Sequence, residues 1–526
     1  MSHTASDAGD FARDTGDIAR SSDGLVRDRS RLGLLVLSFA LLLVVGLTLP
    51  NAAAPDLGPR GWAPGSMLPF TLGPAWVTGA MWTAYTLGAV AVVLAVTGRG
   101  SHELPRPVVA ALALLAALTT PFGSGDHVSY AAYGRILALG DNPWLVSPVS
   151  WRGGSDPVVS QVEAPWTEEP SVYGPFATLV QGLTSLGGGD NLRQTVWLWQ
   201  IVVIAAWLAV RWALRRMLPG REARIDVVWT ANPIVFSVGV LGAHVDLLAT
   251  ALVVVAVWAA HRHVGLGGAA LAGTFAALAV SSKFTYAVVL LALLLAFKDR
   301  RFARGGVLLG SAAAVAGALH LWAGPQVYDQ LGRSARAVAL ASPWRWFLEL
   351  TGGGPAVRSV ISVLAALAAI GFAYCLWRLL RLPAPLASAW MAAGTATSAD
   401  ARGEVGGGLG VRALTWVVVL AGGYALAAPY SLPWYDVIVW AALPAVAWGS
   451  RLQLVVVLSL LARLWIMAMA YTPGRVLGMT PGVEDVTMTV RTRVAPAVLL
   501  AVWIWVVRSA WRAGSRRLPA GRPPES

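Results

Sequence analysis

Residues 123–144 read GSGDHVSYAAYGRILALGDNPW and follow directly on a long apolar run. With helical spacing, Asp126, Tyr130 and Tyr133 lie on one face, because residues three and four apart are neighbours on a helix. A glycine and a proline near the end of the stretch are typical signals for a helix end. The stretch therefore predicts a short helix that carries a carboxylate and two tyrosines beside a membrane. We interpret it as a catalytic loop rather than as packing.

The composition indicates an all-α polytopic membrane protein. The chain has 526 residues, of which 56% are hydrophobic and 13% charged, and its mean hydropathy is +0.62. Soluble globular domains carry about twice that share of charged residues. The net charge of +13 comes mainly from arginines scattered at the ends of apolar runs, which argues against a nucleic-acid partner. The single cysteine, Cys375, excludes an internal disulfide and a thiolate metal cluster.

The apolar runs predict about 13–14 transmembrane helices, since about 20 apolar residues span a bilayer. The first run ends near an Asn-Ala-Ala-Ala sequence typical of signal-peptide cleavage, but its length and the long tail before it favour an uncleaved span. The runs are at 33–49, 76–97, 107–122, 194–216, 225–242, 245–261, 264–281, 284–297, 304–323, 356–380, 411–428, 434–449, 452–471 and 494–512.

The same pattern divides the chain into one membrane domain and two tails. Residues 1–31 are polar and predict a disordered tail, residues 32–512 form the membrane-embedded domain, and residues 513–526 form a basic tail. Within the domain, the Gly/Ala/Ser-rich segment 382–410 is typical of a flexible linker.

The positions of the basic residues predict the orientation. When the runs alternate across the membrane, most of the 40 Lys and Arg residues fall on one side, which the positive-inside rule assigns to the cytoplasm. Both termini are then cytoplasmic in a multi-pass plasma-membrane protein, and 382–410 is a cytoplasmic linker. The long segments 123–193, 324–355 and 472–493 lie outside. Within the second of these, residues 327–350 predict an amphipathic helix in the outer interface.

Five polar clusters fall on the predicted outer side, and they supply the candidate site residues. Ionisable groups at membrane depth are costly and tend to mark functional sites. The candidates are Asp126, His127, Tyr130 and Tyr133 in the first cluster, Tyr173 in Ser171–Pro175, His244 and Asp246 in Gly242–Asp246, Ser282 and Lys283 in Ser281–Tyr286, and Asp436 in the weaker cluster Pro429–Asp436.

Each of the charged candidates also has a purely structural interpretation. Asp126 is suited to act as a general base, yet an aspartate at this position is also a good helix N-cap. Lys283 with Ser282 could hold a phosphate, or its amine could reach the headgroups as an anchor. His244 and Asp246 either line a substrate cavity or bridge two helices. Arg463, inside a span, needs a partner in the bundle or a wet cavity.

A carboxylate and a cation on the outer side suit the transfer of a sugar from a lipid phosphate. No Gly-rich phosphate loop is present, and nucleotide-sugars are confined to the cytoplasm. The cation would offset the charge developing on the leaving lipid phosphate, and direct displacement would invert the anomeric centre. This chemistry requires no cofactor, and no metal site is evident. A transporter or flippase of a lipid-linked sugar, or a non-catalytic assembly partner, remains an alternative.

The ordered motifs resemble one enzyme family. Residues 125–135, Asn142–Trp144, Ser171–Pro175, Gly242–Asp246 and Ser281–Thr285 are similar to actinobacterial polyprenol-phosphate-mannose-dependent α-(1→6)-mannosyltransferases, and Asn232-Pro233 extends the likeness. The resemblance runs from about residue 30 to 510. It implies the GT-C glycosyltransferase fold, a polyprenyl-phosphate mannose donor and a mannolipid or oligomannoside acceptor, with membrane lipids around them.

The resemblance also implies the product and two residue roles. The product would be an α-(1→6)-mannan chain of a lipomannan-type lipoglycan, made on the outer face of the plasma membrane. Asp126 would be the base, and Lys283 would lie near the donor phosphate. A GT-C transferase for another lipid-linked sugar, such as an arabinosyl or glucosyl donor, would share the same chemistry.

Overall fold

The computed structural model describes residues 28–98, 103–329, 336–381, 408–474 and 478–515. The regular structure within these ranges is helical, with no β-strand. Most of both predicted tails and of the predicted linker lies outside the described residues. The first helix begins at Asp28, slightly before the predicted end of the N-terminal tail.

Nineteen helices organise the described part of the chain. They are α1 (Asp28–Leu47), α2 (Pro74–Thr97), α3 (Arg106–Leu118), α4 (Asp126–Ala138), α5 (Pro175–Gly188), α6 (Leu192–Met217), α7 (Glu222–Thr230), α8 (Pro233–Leu241), α9 (Val245–Arg262), α10 (Leu266–Val280), α11 (Phe284–Ala296), α12 (Arg301–Ala323), α13 (Pro343–Leu350), α14 (Pro355–Arg381), α15 (Leu409–Ala427), α16 (Val437–Ala442), α17 (Arg451–Tyr471), α18 (Pro481–Thr489) and α19 (Ala495–Ser515).

The all-α membrane fold is confirmed. Among the described residues, nine helices are long and apolar enough to cross a membrane, and the bent pair α7–α8 makes up to ten. Three shorter apolar helices, α3, α10 and α11, add to these. Every predicted apolar run coincides with helical structure, although several of them are too short or too broken to be one straight span.

The run at 225–242 is the clearest departure from a straight span. It forms α7 and α8, which are bent by 47° at the break between them. Pro233 has no N–H and cannot continue the helix, and the Asn232 side chain accepts hydrogen bonds from the N–H groups of Ile234 and Val235 at 3.1 and 3.3 Å. The run at 434–449 is likewise broken, with the six-residue α16 between two 3₁₀ turns.

The long segment 123–193 is folded rather than extended. Its two helices, α4 and α5, pack on each other and on α6. They approach closely at Gly134, where a Cβ atom would lie 2.3 Å from the Gln181 carbonyl oxygen. Arg135 then joins α4 to the rest of the segment through ion pairs with Asp156 and Asp190. These contacts, in the second half of α4, fix the helix against α5 and the rest of the segment.

Of the amphipathic helix predicted within 327–350, only the last eight residues form an α-helix in the described part of the chain, which is α13. Its Trp344 and Trp346 indoles donate to the carbonyl oxygens of Ala427 and Thr492 at 2.7 and 3.0 Å, while Phe347 and Leu350 are exposed. Exposed apolar side chains, together with indoles hydrogen-bonded to the helix bundle, are expected of a helix that lies in the membrane interface.

Candidate active site

The first helical residue of α4 is Asp126, and its carboxylate does not cap the helix. The N-cap position is Gly125, with no side-chain capping hydrogen bond, so the N-cap interpretation of Asp126 is not what the structure shows. Its N–H donates to Ser124 Oγ at 3.3 Å. Asp126 Oδ2 instead lies 3.4 Å from Nδ1 of His244. The carboxylate is therefore not engaged with its own helix and can contact groups outside it.

His244 is held on every side. Its Nδ1 also lies 3.4 Å from the Tyr130 hydroxyl, and its Nε2 lies 3.3 Å from Ser124 Oγ. The imidazole stacks on the Trp434 indole with 3.7 Å between the ring centroids. A ring with so many neighbours has one orientation, and it fixes the direction of the Asp126 carboxylate.

The backbone before His244 is strained in order to place it. Ala243 has φ +50°, a left-handed conformation that costs a non-glycine residue about 1–2 kcal/mol. The Trp199 indole on α6 donates to the Ala243 carbonyl oxygen at 2.7 Å, and the Trp199 ring also packs against Tyr130. Packing of α6 against α9 therefore maintains the turn that presents His244.

A second buried pair joins α9 to the α10–α11 turn, and its carboxylate, Asp246, is two residues after His244. Lys283 Nζ donates to both carboxylate oxygens of Asp246, at 2.8 and 2.9 Å. Tyr286 donates its hydroxyl to Asp246 Oδ1 at 3.1 Å. The Lys283 ammonium also lies 3.5 Å from the centroid of the Tyr435 ring, a cation–π contact. The amine is therefore fixed in the protein, which disfavours the headgroup-anchor interpretation.

Exposure separates the four side chains of these two pairs into two kinds. The side chains of His244 and Asp246 are 2% and 1% exposed, whereas those of Asp126 and Lys283 are 13% and 14% exposed. In each pair, one partner is enclosed and holds the other. Asp126 and Lys283 are thus the members of the two pairs that a substrate can reach.

The cluster Ser171–Pro175 docks on the cluster that contains Lys283 through the backbone. The N–H groups of Gly174 and Phe176 donate to the carbonyl oxygens of Ser282 and Ser281, at 3.1 and 2.8 Å. A Cβ at Gly174 would lie 2.4 Å from the Ser281 carbonyl oxygen, so only glycine permits this approach. The Ser282 hydroxyl is buried and donates to the Leu278 carbonyl oxygen at 2.8 Å.

The three candidate tyrosines line the same region as neutral groups. Tyr130 and Tyr173 pack edge to face with ring centroids 4.9 Å apart, and Tyr133 donates to the Glu169 carbonyl oxygen at 2.9 Å. Burial first, and the Asp126 carboxylate second, raise the pKa of Tyr130 and Tyr133 above the usual value for a phenol. Both hydroxyls therefore stay protonated at neutral pH and act as hydrogen-bonding groups rather than bases.

Two other candidates lie apart from these pairs. His127 is completely buried one position along α4, about 100° around the helix from Asp126. Asp436 forms a buried ion pair with Arg463, whose Nε also donates to the Ala425 carbonyl oxygen at 2.8 Å. The expectation that Arg463 has a partner inside the bundle is confirmed.

The cluster around Asp436, which the sequence ranked lowest, contacts one residue of each of the two pairs and also Arg463. In the turn Trp434-Tyr435-Asp436, the three side chains contact His244, Lys283 and Arg463 in that order. Trp434, Tyr435, Tyr286 and Ser124 are the site residues that sequence reasoning did not single out for these contacts. A buried arginine needs an acidic partner, so Arg463 was a reason to look for one, but the sequence did not indicate that Asp436 is that partner.

The described residues contain no group of three or more His, Cys, Asp and Glu side chains able to hold a metal ion. What the arrangement offers is a reachable carboxylate oriented by an imidazole and a reachable ammonium oriented by a second carboxylate. The Tyr130 hydroxyl contacts the first pair at His244 Nδ1, 3.4 Å away, and accepts from the N–H of Val245, the residue before Asp246, at 3.5 Å.

Comparison with known proteins places this chain in a family. The family model for the N-terminal domain of alpha-(1→6)-mannopyranosyltransferases, MptA_B, matches residues 32–299, about half of the chain. A probable alpha-(1→6)-mannopyranosyltransferase of Mycolicibacterium smegmatis is 28% identical over 384 residues, 64% of this chain and 63% of that protein.

A second relative agrees over a shorter stretch. An alpha-(1→6)-mannopyranosyltransferase of Mycobacterium tuberculosis is 30% identical over 144 residues, which cover 27% of this chain and 24% of that protein. The chain thus spans less than two thirds of the length of either curated relative. No solved structure matches. The matched region contains Asp126, His244, Asp246 and Lys283, and on this match the chain belongs to the MptA_B family of alpha-(1→6)-mannopyranosyltransferases.

Proposed function

We propose that this protein is an inverting glycosyltransferase that moves mannose from polyprenyl-phosphate mannose to a growing α-(1→6)-mannan chain of a lipomannan-type lipoglycan. The family and the names of both relatives support mannosyl transfer. The observation that carries the mechanism is the pairing of Asp126 with His244 next to the pairing of Lys283 with Asp246. The site lies on the outer face of the plasma membrane, in agreement with the distribution of basic residues.

Asp126 is the general base in this proposal. The acceptor hydroxyl gives its proton to the Asp126 carboxylate, and its oxygen forms the new bond to C1 of the mannose. The bond from C1 to the phosphate oxygen breaks, and its electron pair leaves with polyprenyl phosphate. Because one displacement inverts C1, an α-linked product requires a β-linked donor. With its proton on Nδ1, His244 donates to Asp126 and keeps the receiving oxygen in place.

Lys283 stabilises the leaving phosphate. Its ammonium has three N–H donors, and two are directed at Asp246. The remaining donor and the positive charge are available to the phosphate oxygen on which charge develops. We assign the phosphate contact to Lys283 alone, because the Ser282 hydroxyl already donates to the Leu278 carbonyl oxygen. Ser282 instead supports the turn on which Gly174 docks.

The main rival function is transport of the lipid-linked sugar. Transporters commonly bind their substrate near the bilayer midplane, between repeated halves. Here the charged pairs lie at the ends of helices: Asp126 is the first residue of α4, and Lys283 lies in the turn between α10 and α11. This placement favours chemistry at the surface of the bundle over passage through it.

The test is mannosyl transfer by the purified full-length chain in nanodiscs. The donor is radiolabelled polyprenyl-phosphate mannose and the acceptor is a short α-(1→6)-mannoside. We expect label in a longer oligomannoside and its loss in Asp126→Asn, which removes the base with little change in volume. Glu168→Gln is the matched control, because Glu168 is an exposed acid of the same segment.

The outcomes separate the alternatives. Normal turnover by Asp126→Asn would refute the base assignment. Transfer from an arabinosyl or glucosyl lipid phosphate but not from the mannosyl donor would change the sugar and keep the fold and mechanism. Binding of the donor without transfer to any α-(1→6)-mannoside would favour the transporter.

A further inference from the structure

A second charged region lies at the far end of α6 from the site. Trp199, near the start of the helix, packs against Tyr130, whereas Arg211, Arg215 and Arg216 lie 12 to 17 residues further along. At 1.5 Å per residue this separation is about 18–26 Å along the axis, so the region belongs to the opposite side of the bundle from Asp126.

A cavity of about 380 Å³ opens there, between α3, α6 and α7. Arg106 begins α3, where the positive end of the helix dipole adds to its charge. Glu222, at the start of α7, also lines the cavity and opposes an anion. Besides Glu222, the cavity is lined by four arginines and two apolar side chains: Arg106, Leu208, Arg211, Trp212, Arg215 and Arg216.

The inner arginines already have carboxylate partners. Arg211 donates to both oxygens of Asp226, at 2.8 and 3.1 Å, and Arg215 lies 2.6 Å from Glu103 and 3.5 Å from Asp226. These pairs fix the wall of the cavity. With Glu222 they reduce the local charge, from four arginines and three acids, to about one positive charge.

The rim arginines differ. Arg106 and Arg216 are exposed, and in the part of the chain that the structure describes neither has a carboxylate oxygen within 4.0 Å. Two exposed guanidinium groups that line one cavity are suited to share a phosphate, because a guanidinium binds phosphate oxygens in pairs. The rim is thus the part of the cavity that an anion would occupy.

One wall of the cavity is apolar and open. Leu208 and Trp212 are 36% and 44% exposed, one turn apart on the same face of α6 that ends in Arg216. The Trp212 ring is held between Trp258, at 4.9 Å between centroids, and the Arg216 guanidinium, at 5.6 Å. The cavity is therefore basic at its rim and apolar where it continues along the span.

We propose that this cavity binds an anionic phospholipid of the leaflet opposite Asp126. Arg106 and Arg216 hold the phosphate, and an acyl chain lies along Leu208 and Trp212. A basic pocket between helices above an apolar wall is suited to a lipid headgroup and its chain together. That this leaflet is the cytoplasmic one depends on the orientation proposed above; the binding itself does not.

The test uses the delipidated full-length chain in detergent, with phosphatidylglycerol, phosphatidylcholine or inorganic phosphate added. Native mass spectrometry counts retained lipid, and thermal melting reports stabilisation. The variant is Arg106→Gln with Arg216→Gln. The matched control is Arg262→Gln with Arg451→Gln, which removes the same charge from exposed residues at other helix ends outside the cavity.

We expect phosphatidylglycerol to be retained and to raise the melting temperature, with little effect of phosphatidylcholine. The Arg106/Arg216 variant should bind phosphatidylglycerol at least ten times more weakly, and the control variant should bind it as the native protein does. Equal binding of the two lipids, or equal weakening in the control, would overturn the proposal. Equal stabilisation by inorganic phosphate would also overturn it, because the apolar wall would then contribute nothing. None of these readouts requires mannosyl transfer, so the test is independent of the proposed enzyme activity.

Discussion

Replacing Gly174 by alanine should separate two segments of the proposed active site. The new Cβ would lie 2.4 Å from the carbonyl oxygen and 2.7 Å from the carbonyl carbon of Ser281. Reaching even 3.0 Å requires a displacement of about 0.6 Å, and the obstructing atoms are backbone, so no side chain can rotate away. The residue that moves with this backbone is Lys283, two positions on.

The magnitude follows from two contributions. Overpacking of a tight contact costs about 1–3 kcal/mol. The two backbone hydrogen bonds from Gly174 and Phe176 lengthen as the segments separate, and each contributes about 0.5–1.5 kcal/mol. We therefore expect a loss of about 2–4 kcal/mol in stability if both effects are partly relaxed. A displacement approaching 1 Å at a catalytic group can cost on the order of 100-fold in rate.

The assay is thermal melting and mannosyl transfer in nanodiscs for Gly174→Ala. Gly79→Ala is the control, because a Cβ at Gly79 meets nothing within 4 Å. The control should keep both its melting temperature and its turnover. If Gly174→Ala matched the native protein in both measurements, the close docking of the two segments would not be needed, and our account of how Lys283 is positioned would be wrong.

Three further predictions concern the surroundings of the site. Arg463→Leu leaves Asp436 buried without its cation and should lower the free energy of unfolding by about 3–5 kcal/mol. The double variant Arg463→Leu with Asp436→Leu should recover most of the loss of melting temperature. An equal loss in both variants would contradict the pairing argument. Ala243→Gly relieves a left-handed φ, so the melting temperature should stay unchanged or rise by the equivalent of about 0.5–1 kcal/mol, with transfer retained. A clear fall in melting temperature would show that the Ala243 side chain contributes more than the strain costs. The raised pKa of Tyr133 contributes stability that is complete below the ordinary phenol value of 10.0 and is lost as pH rises above it. The melting temperature should therefore fall above pH 10, and it should fall less steeply in Tyr133→Phe. Parallel curves for the two proteins would refute a raised pKa at Tyr133.

Much of the fold was predictable because lipid imposes a simple rule on each span. Every apolar run became helical, and α4 starts at Asp126 and ends before Gly140 as its spacing predicts. The break between α7 and α8 was not predicted, although Asn232-Pro233 interrupts the run at 225–242 and causes it. The sequence did not reveal which outer turns meet, because hydropathy has no information about neighbours in space.

The site shows the same limit. Asp126, His244, Asp246 and Lys283 were all candidates, yet their pairing was not: His244 and Asp246 are two residues apart in sequence and turn to different partners. His244 is the extended residue before α9 and Asp246 is in the first turn of that helix, so their side chains leave the backbone in different directions. The role of Trp434 was also missed, because neither hydropathy nor spacing indicates that its indole stacks on the His244 imidazole.

The sharing of Lys283 with Asp246 has a consequence for turnover. In the proposed cycle, the product that remains on the protein after each transfer is a lipid phosphate with more charge than the donor had. A lone ammonium would bind that product more tightly than the donor and would slow its departure. Because Lys283 donates two of its three amine hydrogens to Asp246, its ammonium binds the product phosphate less tightly. Asp246→Asn should therefore retain polyprenyl phosphate and become sensitive to product inhibition.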